Sequence, residues 1–518
     1  MGNMIFLYGP PGSGKSSVGR RLAEGLSLEF YDLDVEIERQ AGVEIHTIFD
    51  SEGELGFRRR EAQVLQKTLD KGSGVVALGG GALLDGENRS RVRHAGLVLC
   101  LSASVDTLIE RLRADGVDRP LLKGDLENRL QRLIEDREEH YKSVHYQLNT
   151  DLFSPSQAVQ EAEITLGAFR VRGMGSGYDV RARAGLLNEI GNFVHRMDVQ
   201  GPIVLVTDET VGKIYAAGVI ANLQKNDLKI DELRFLPGEK QKSLETTSNI
   251  WEFFTQSGVE RKSLIIALGG GVVGDLAGFA AATYLRGVPW LSLPTSLLAM
   301  VDSSLGGKTG VNLTAGKNLV GAFYAPEVVL ADLDTLRTLP EVEMRNGMAE
   351  VVKHGVIADP TLFEICEAGE LISGQRLDEM VSRAMAVKIE IIQKDPFEGG
   401  IREKLNFGHT IGHAVEMASD FSIRHGEAIA IGMVAESRIS EELGLSNAGL
   451  EQRLRRTLSG IGLPIDIPAS LDRVRLLDTM QFDKKRLSGV LRFSLPISIG
   501  QVKSGIEIEP EDIQKIIG

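Results

Sequence analysis

Cysteine is scarce in this sequence, with two residues among 518. Cys100 and Cys366 stand far apart, and neither belongs to a Cys-x-x-Cys pattern. We therefore expect no disulfide framework, but two buried thiols in a reducing, cytoplasmic setting.

Targeting and membrane signals are also missing. The first nine residues, MGNMIFLYG, lack the basic segment and long apolar core of a secretory signal, and Phe6 stands where a myristoylation signal requires Ser or Thr. One apolar stretch, residues 263–285, contains five glycines and a central acid, Asp275. Because those residues disfavour a spanning helix, we expect a buried strand followed by a buried helix there.

Positive charge is in deficit, with 58 Lys and Arg residues against 72 Asp and Glu residues and a net charge of −14. This balance disfavours nonspecific binding to nucleic acid or to an anionic membrane, although it is compatible with local basic pockets for phosphates. A content of 42% hydrophobic residues is typical of a globular protein. The length predicts roughly three domains of about 100–200 residues each.

Repeats of fixed period are absent: the phrase ALGGG occurs at residues 77–81 and 267–271, but its surroundings do not match. Short apolar runs alternate with helical patterns over residues 4–167 and again from residue 179, which predicts two α/β regions with parallel sheets. After residue 339 the strand signals fade and helical patterns dominate. We predict domains at residues 1–166, 178–338 and 339–518, with a glycine-rich linker at residues 167–177.

A P-loop motif, GPPGSGKS, occupies residues 9–16 between a predicted strand and a predicted helix. Its glycines let backbone N–H groups wrap a phosphate, Lys15 reaches the β- and γ-phosphates, and Ser16 can ligate Mg²⁺. Asp32 and Asp34 follow a short predicted strand, where alternation would point both carboxylates to one side. One could then serve the metal and the other a substrate hydroxyl.

The first region resembles the shikimate kinases over nearly all of residues 1–165. The motifs that carry the resemblance, in family order, are GELGFR at 53–58, GGG at 79–81, RPLL at 119–122 and Arg137 before Tyr141. It implies Asp34 as the base or orienting group for the attacking hydroxyl, and Arg119 on a lid over the transferred phosphoryl group. The implied ATP and Mg²⁺ residues are Gly12, Ser13, Gly14, Lys15, Ser16, Ser17, Asp32 and Arg113. The implied shikimate residues are Asp34, Arg58, Gly79, Gly80, Gly81 and Arg137.

A second nucleotide signal lies at residues 264–275, where a predicted strand enters Gly269-Gly270-Gly271 and Asp275 follows. Glycines permit close approach of a pyrophosphate, and an acid can accept a hydrogen bond from a nucleotide hydroxyl. Asp208, after the predicted strand at 203–207, is another candidate for that role.

Three of the nine histidines, His409, His413 and His425, lie within residues 409–425. His409 and His413 stand one helical turn apart, which makes them the natural ligand pair by spacing. The HExxH motif is absent because Thr410 occupies its Glu position, but Glu350 supplies a carboxylate from another predicted helix. Histidine and carboxylate ligands with an open position suit a catalytic Zn²⁺.

Residues 178–518 resemble the 3-dehydroquinate synthases across almost their whole length. The matching phrases include GGGVVGDLAGF at 269–279, PTSLLAMVDSSLGGKTGVN at 294–312, GMAEVVKHG at 347–355 and LNFGHTIGHAVE at 405–416. The resemblance implies a metal on Glu350, His409 and His425, which leaves His413 facing the substrate phosphate.

The same resemblance implies two further sets of residues and three catalytic candidates, Asp302, Lys308 and His413. For NAD⁺ they are Asp208, Glu239, Lys242, Gly270, Gly271, Asp275, Thr295 and Lys317. For 3-deoxy-arabino-heptulosonate 7-phosphate they are Arg286, Asp302, Lys308, Asn318, Lys353, Lys388, Arg402, Asn406, His413 and one of Lys484 and Lys485.

Together the resemblances predict a bifunctional enzyme of aromatic precursor biosynthesis. One half would phosphorylate shikimate with ATP and Mg²⁺, and the other would convert the heptulosonate phosphate to 3-dehydroquinate with NAD⁺ and Zn²⁺ or Co²⁺. The implied fold is a P-loop kinase sheet, then a Rossmann-like NAD domain, then a helical metal- and substrate-binding domain. A homodimer through the second half is also implied.

Three alternatives stay open. The second half could be another sugar-phosphate cyclase, or a polyol dehydrogenase, although the cations Arg286, Lys308, Lys353 and Arg402 disfavour the latter. The first half could be a non-catalytic nucleotide-binding module, against which its intact Lys15 argues.

Overall fold

The computed structural model describes residues 3–115, 122, 124–225, 228–369, 376–486, 491–509 and 513. The chain forms two compact units, Met1–Arg170 and Val171–Gly518. Arg119 of the predicted lid lies outside the described residues, and so do the side chains of Lys484 and Lys485.

The first unit is built on a parallel sheet with the strand order β2-β3-β1-β4-β5. The central strand β1 is hydrophobic from Met4 to Tyr8 and buries its two sides in two different cores. Phe6 faces one core and Leu7 the other, because successive strand side chains point to opposite faces. The strands are β1 Asn3–Tyr8, β2 Phe30–Asp32, β3 Ser73–Ala77, β4 Gly96–Ser102 and β5 Tyr146–Asn149.

Helices cover both faces of this sheet, as the alternating pattern predicts. They are α1 Lys15–Leu26, α2 Leu33–Ala41, α3 Ile45–Leu69, α4 Gly86–Ala95, α5 Val105–Asp115, α6 Leu126–Lys142 and α7 Pro155–Leu166. Helix α3 is broken at Gly53, whose φ of 66° is open to glycine but costly for other residues.

The second unit contains a larger parallel sheet that runs β7-β14-β11-β10-β8-β9. Its central strand β10 is buried along its whole length, with Ile265 in one core and Ile266 in the other. The strands are β7 Tyr178–Arg183, β8 Ile203–Asp208, β9 Ile230–Phe235, β10 Leu264–Gly269, β11 Trp290–Pro294 and β14 Val328–Asp332. A short strand, β6 Ala168–Val171, straddles the division between the units.

Two antiparallel strand pairs lie outside this sheet. They are β12 Lys308–Leu313 with β13 Gly316–Phe323, and β15 Arg492–Ser498 with β16 Gln501–Glu507. The sequence does not predict the second pair, since Pro496 interrupts one strand pattern and Gly505 the other. It forms because Phe493 and Leu495 bury their side chains against helices of the same core.

The helices of the second unit begin among the strands and then dominate the chain after residue 339, as predicted. They are α8 Ile190–Val194, α9 Glu209–Val211, α10 Ala217–Gln224, α11 Leu244–Gln256, α12 Gly271–Thr283, α13 Glu341–Ile357, α14 Pro360–Glu367, α15 Leu377–Lys394, α16 His409–Ala418, α17 His425–Glu442, α18 Leu450–Gly460 and α19 Arg473–Arg486. Within the described ranges, no helix has both the length and the apolarity needed to cross a bilayer. The apolar stretch at 263–285 contains β10 and α12.

Candidate active sites

The P-loop of the first unit connects β1 to α1 through glycines in left-handed conformations. Gly12 has φ +80°, and Gly14, the residue that precedes α1, has φ +94°. The ammonium group of Lys15 donates hydrogen bonds to the carbonyl oxygens of Gly9 and Pro10 at 3.0 and 2.9 Å. These bonds hold the lysine over the loop whose N–H groups would receive a phosphate.

The two acids at the end of β2, Asp32 and Asp34, are not arranged as strand alternation predicts. Asp32 is the last residue of β2, and Asp34 already lies in the first turn of α2, so the two are not alternate residues of one strand. The Asp32 carboxylate accepts hydrogen bonds from the Asp34 N–H at 3.2 Å and the Ser16 hydroxyl at 2.6 Å. Asp32 and Ser16 therefore place two oxygen groups together beside the P-loop, and oxygen is the ligand type that Mg²⁺ takes.

The glycines at 79–81 bring the predicted shikimate residues together. The carbonyl oxygen of Gly80 accepts a hydrogen bond from Arg137 at 3.0 Å, and the Arg58 guanidinium lies 2.6 Å from where a Cβ on Gly81 would stand. A Cβ on Gly79 would stand 3.5 Å from an Asp34 carboxylate oxygen. The absence of side chains at these positions lets the Arg58 guanidinium and the acidic side chains approach the backbone closely.

Two groups that sequence reasoning missed complete this cluster. Glu61 is buried and pairs with Arg58 at 2.7 Å, and its burial raises the pKa of the carboxyl even though Arg58 opposes the shift. The Tyr141 hydroxyl donates to the Gly80 carbonyl at 2.9 Å. The spacing of Arg58 and Glu61, three residues apart on α3, is the sequence signal that would have found the acid.

Other predicted ATP residues lie around the loop rather than in this cluster. Ser13 is buried and Ser17 is exposed at the start of α1. Arg113 is exposed on α5, where it pairs with Glu127 at 2.6 Å.

The second unit presents a glycine-lined depression at the carboxyl ends of β10 and β11. Gly270 precedes α12, and Gly271 begins it. A Cβ on Gly271 would stand 2.9 Å from the Ser303 hydroxyl, closer than an ordinary contact, whereas one on Gly270 would stand 3.6 Å from the Ser296 hydroxyl. Thr295, which is buried, donates its N–H to the Gly269 carbonyl at 3.0 Å. Residues lining the depression include Gly269, Gly270, Gly271, Gly274, Pro294, Ser303 and Lys308.

Lys242 contacts both an acid on α12 and a polar side chain on β13. The buried Lys242 ammonium pairs with Asp275 at 2.5 Å and also donates to the side-chain oxygen of Asn318. Burial raises the pKa of Asp275 to about 6 despite the neighbouring lysine. Glu239 accepts a hydrogen bond from Asn312 at 2.7 Å. A predicted substrate residue, Asn318, thus directly contacts the predicted NAD residue Lys242.

Two predicted NAD residues are positioned differently from this group. Asp208 ends β8 and accepts hydrogen bonds from the N–H groups of Thr210 and Val211 at 2.8 and 3.0 Å. Lys317 lies on β13 and pairs with Glu416 at 3.0 Å, which joins it to the histidine cluster rather than to the glycine wall.

The histidine cluster is centred on a buried carboxylate. Oε1 of Glu350, on α13, accepts no hydrogen bond and lies 3.8 Å from Nε2 of His409 and 3.7 Å from Nε2 of His425. His409 is the first residue of α16 and His425 the first of α17, so two helix starts meet at the end of this side chain. These three residues form one of the candidate metal clusters of the described chain.

The protonation states of these histidines differ. Burial and Lys353 lower the pKa of His409 well below its ordinary value, so its ring is neutral and able to bind a metal. Burial acts in the same direction on His425, but the nearby carboxylates of Glu350 and Glu416 outweigh it and raise the pKa to about 9. A metal would therefore displace a proton from His425.

Neighbouring groups orient the two histidines of this cluster. Nδ1 of His425 lies 3.2 Å from a carboxylate oxygen of Glu416, and Nδ1 of His409 lies 3.3 Å from the Phe407 carbonyl oxygen. His413 is exposed, with its ring centre 5.0 Å from that of His409. Carboxylate and carbonyl partners of this kind fix ring orientation in metal sites.

Cations converge on the same region, each against a carboxylate. Buried Lys353 pairs with the other oxygen of Glu350, and buried Lys388 pairs with Asp302. Burial alone would raise the pKa of Asp302, but the neighbouring lysines hold it below its usual range. His354, fully buried beside these acids, has no hydrogen-bond partner on either ring nitrogen.

A third group of charges surrounds Glu398, which sequence reasoning did not single out because its segment has no periodic pattern. Its carboxylate contacts the ammonium group of Lys308 and lies 3.7 Å from Nε of buried Arg402. A Cβ on Gly306 would stand 2.6 Å from the Arg402 guanidinium, so the SSLGGK turn and this arginine are in contact.

The other two predicted substrate residues, Arg286 and Asn406, are exposed. Arg286 is exposed with φ +66°, and within the described residues it makes no hydrogen bond or ion pair. Asn406 is exposed at the end of a short helical turn before α16.

Comparison with known proteins assigns both units. Residues 11–166 match the shikimate kinase family, residues 232–346 match the family described as 3-dehydroquinate synthase N-terminal, and residues 347–486 match its C-terminal counterpart. The chain is 41% identical to the 3-dehydroquinate synthase of Synechococcus sp. over 351 residues, which cover 66% of this chain and 95% of the relative. It is 46% identical to that of Xanthomonas oryzae pv. oryzae over 326 residues, which cover 61% of this chain and 88% of the relative.

Among solved structures, a 2-deoxy-scyllo-inosose synthase with carbaglucose-6-phosphate, NAD⁺ and Co²⁺ matches with a TM-score of 0.62 and 28% identity, over 68% of this chain and 99% of that one. The 2-epi-5-epi-valiolone synthase of Streptomyces hygroscopicus subsp. jinggangensis, with NAD⁺ and Zn²⁺ bound, matches with a TM-score of 0.61 and 27% identity, over 65% of this chain and 95% of that one.

Fold and sites therefore define a two-site enzyme, a phosphotransferase followed by a lyase. The chain belongs to the 3-dehydroquinate synthase family and carries a shikimate kinase domain ahead of the synthase.

Proposed function

We propose that this chain phosphorylates shikimate in its first unit and converts 3-deoxy-arabino-heptulosonate 7-phosphate to 3-dehydroquinate in its second. The observation that carries the second activity is the buried, unpartnered Oε1 of Glu350 facing two histidine nitrogens. Lysines and an arginine surround that point, as an anionic sugar phosphate requires.

The residues at this point fit a catalytic metal ion. Ligands of tetrahedral Zn²⁺ at about 2.1 Å lie roughly 3.4 Å from one another, close to the 3.7 and 3.8 Å observed here. We propose that Glu350, His409 and His425 hold Zn²⁺ or Co²⁺ and leave a position open to substrate. A metal there supplies Lewis-acid chemistry at a substrate hydroxyl.

The glycine wall fits a dinucleotide. Gly270 and Gly271 leave the start of α12 open to a pyrophosphate, and Asp275 offers an acceptor for a hydroxyl. We propose NAD⁺ as the ligand, bound also by Asp208, Glu239, Lys242 and Thr295. NAD⁺ supplies a hydride acceptor that is restored within each turnover.

For the reaction itself, we propose that the cations bind the substrate anions and that acids and histidines move protons. Lys308, Lys388 and Arg402 are each held by a carboxylate or carbonyl, so their ammonium and guanidinium groups are oriented before substrate binds. Asp302 stays ionised beside Lys388 and is available to accept a proton. His413 is exposed beside His409 and can donate to the phosphate. Lys317, Asn318, Lys353 and Asn406 complete the proposed set.

In the kinase unit, we propose that Lys15 and the P-loop N–H groups bind the phosphates while Ser16 and Asp32 hold Mg²⁺. Arg58 and Arg137 suit the shikimate carboxylate because a guanidinium can bind a carboxylate through two parallel hydrogen bonds. Asp34 lies close to Gly79, where it can orient the attacking hydroxyl. Phosphoryl transfer depends mainly on such positioning and charge stabilisation.

We also propose the domain bounds, the oligomeric state and the cellular location of the chain. The kinase domain spans residues 1–166, a linker 167–177, the NAD domain 178–338 and the metal and substrate domain 339–518. A homodimer through the synthase half is proposed because the family resemblance implies it. Both cysteines are free and buried, which supports a cytoplasmic location.

Two assays on the purified chain test the proposal. The kinase assay follows ADP formed from ATP, which we expect only when shikimate is present. The synthase assay follows phosphate release from the heptulosonate phosphate, which we expect to need NAD⁺ and a divalent metal. A sugar phosphate of the same length without the carboxylate separates this activity from that of other cyclases: turnover of that compound alone would overturn the proposed substrate.

A further inference from the structure

Helix α16, which carries His409 and His413, is capped by a residue from another helix. The residue before it is Gly408, with φ +80° and no side chain to cap the helix. Instead Glu436, on α17, accepts hydrogen bonds from the N–H groups of Gly408 at 2.6 Å and Ile411 at 3.2 Å. The Glu436 carboxylate is fully buried, so both N–H groups would lack any partner without it.

Close backbone packing of α16 on α17 brings this carboxylate within reach. A Cβ on Gly432 would stand 2.0 Å from the Gly408 carbonyl oxygen, and one on Gly412 would stand 3.0 Å from the Ala428 carbonyl oxygen. The two helices therefore touch through glycines at several turns. Glu436 lies one turn beyond Gly432 and adds directional hydrogen bonds to that contact.

The arrangement bears on the proposed metal site because both helices begin with a proposed ligand. His409 opens α16 and His425 opens α17, and their rings face the same oxygen of Glu350. Any slide or rotation of α16 against α17 changes the separation of these two nitrogens. The N–H groups of Gly408 and Ile411 at the start of α16 donate hydrogen bonds to Glu436 on α17, and these bonds oppose that motion directly.

We propose that Glu436 is a positioning residue that holds His409 in register with His425 for metal binding. This inference rests on the metal site proposed above. Glu436 acts through the backbone of α16, since its carboxylate bonds to the N–H groups of Gly408 and Ile411. Partners that hydrogen-bond a metal ligand directly typically contribute 10- to 100-fold to metal affinity, and we expect a loss of that order here because Glu436 fixes the backbone on both sides of His409.

The test uses the full chain and Co²⁺, whose visible absorption reports the geometry of its ligands. Glu436→Gln keeps the size of the side chain but turns one acceptor oxygen into an NH₂ group facing an N–H. The matched control is Glu441→Gln: Glu441 is on the same helix and caps α18 by accepting from the Glu451 N–H at 2.7 Å, far along the chain from the histidines. Affinity is measured by competition with a chelator, and thermal unfolding and kinase activity are recorded for each variant.

We expect Glu436→Gln to bind Co²⁺ about 10- to 100-fold more weakly, with an altered spectrum, and Glu441→Gln to match the wild type in both. Unchanged affinity and spectrum in Glu436→Gln, whatever its thermal stability, would overturn the inference. Loss of folding of the synthase unit in Glu436→Gln would also overturn it, because the residue would then be needed for folding itself. His409→Ala separates the two proposals: if it binds Co²⁺ as the wild type does, the metal site is wrong.

Discussion

At the scale of single residues, the charges around a buried group set the chemistry of the synthase site more than residue type does. Asp275 and Asp302 are both aspartates beside a lysine, yet the pKa of one is raised and that of the other is lowered. Asp302 lies near both Lys388 and Lys353, whereas Lys242 alone does not offset the burial of Asp275. The balance between desolvation and opposite charges decides each sign.

The raised pKa of Asp275 predicts how NAD⁺ binding depends on pH. The carboxyl is ionised above about pH 6 and accepts a hydrogen bond from a nucleotide hydroxyl best in that form. As pH falls below about 6 we expect the Kd for NAD⁺ to rise, by at most about tenfold per pH unit. Calorimetric titration from pH 5 to 8 measures it. Asp275→Asn should bind more weakly with a flat profile; a fall in Kd toward acid pH would contradict the assignment.

Arg58 predicts a substrate-specific effect in the kinase. Its guanidinium is fixed by Glu61 and lies against Gly81, so Arg58→Lys removes a planar pair of donors from the acceptor site. We expect KM for shikimate to rise by about 10-fold or more, which is roughly 1.4 kcal/mol, while KM for ATP stays unchanged. Arg60→Lys is the control, because Arg60 pairs with Glu52 on the exposed side of the same helix. Equal effects of both variants would argue against the site.

At the scale of helices and strands, the sequence predicts most of what the structure contains. Continuous apolar runs identify β1 and β10, which are buried on both faces, and apolar residues with period 3.6 identify the long helices. The pair β15–β16 is not predicted from the sequence, because its strands contain a proline and a glycine and gain stability from tertiary contacts. Strand alternation expects Asp34 to continue the extended chain after Asp32. The prediction is wrong because α2 begins at Leu33, which places Asp34 in its first turn.

The site is harder to predict than the fold, because it is assembled across distant segments. Spacing makes His409 and His413 partners, but Glu350 faces His409 and His425. The family resemblance implies that His409 and His425 act together. In the structure, the first residues of α16 and α17 meet at the Glu350 carboxylate. Glu398 and Glu436 are not visible as site residues in the sequence because each acts through a contact between distant segments, whereas Glu61 is signalled only by its spacing of three residues from Arg58.

The packing of α16 on α17 gives a prediction at this scale. Gly432→Ala places a methyl group against the Gly408 carbonyl oxygen, so the helices must separate, and we expect a loss of about 1–3 kcal/mol in the free energy of unfolding. Gly218→Ala, in α10, is the control because a Cβ there meets nothing within 4 Å; it should be neutral or stabilising by up to about 1 kcal/mol. Thermal and denaturant unfolding measure both. Equal stabilities would show that the close contact is not important.

At the scale of the whole chain, the two units hold separate chemistries. The kinase and the synthase do not share a substrate: between 3-dehydroquinate and shikimate lie a dehydration and a reduction, for which the chain has no assigned residues. Each unit has its own sheet, its own cores and its own cluster of site residues. We therefore expect each activity to depend on its own cofactors alone.

Removal of tightly bound metal should separate the activities. After dialysis against a strong chelator, synthase activity should fall to background and return with Zn²⁺ or Co²⁺, because Glu350, His409 and His425 need a metal to complete the site. Kinase activity, assayed with fresh Mg²⁺, should be unchanged. Full synthase activity in the metal-free protein would contradict the proposed centre.

The most direct test of the central claim measures both activities in wild type, Lys15→Ala and His409→Ala. Lys15 is part of the phosphate loop of the first unit, and His409 faces Glu350 in the second. We predict that each variant loses at least about 100-fold in its own activity, roughly 2.7 kcal/mol, and keeps the other. If Lys15→Ala also abolished synthase turnover, or His409→Ala abolished the kinase, the account of two autonomous sites would be contradicted.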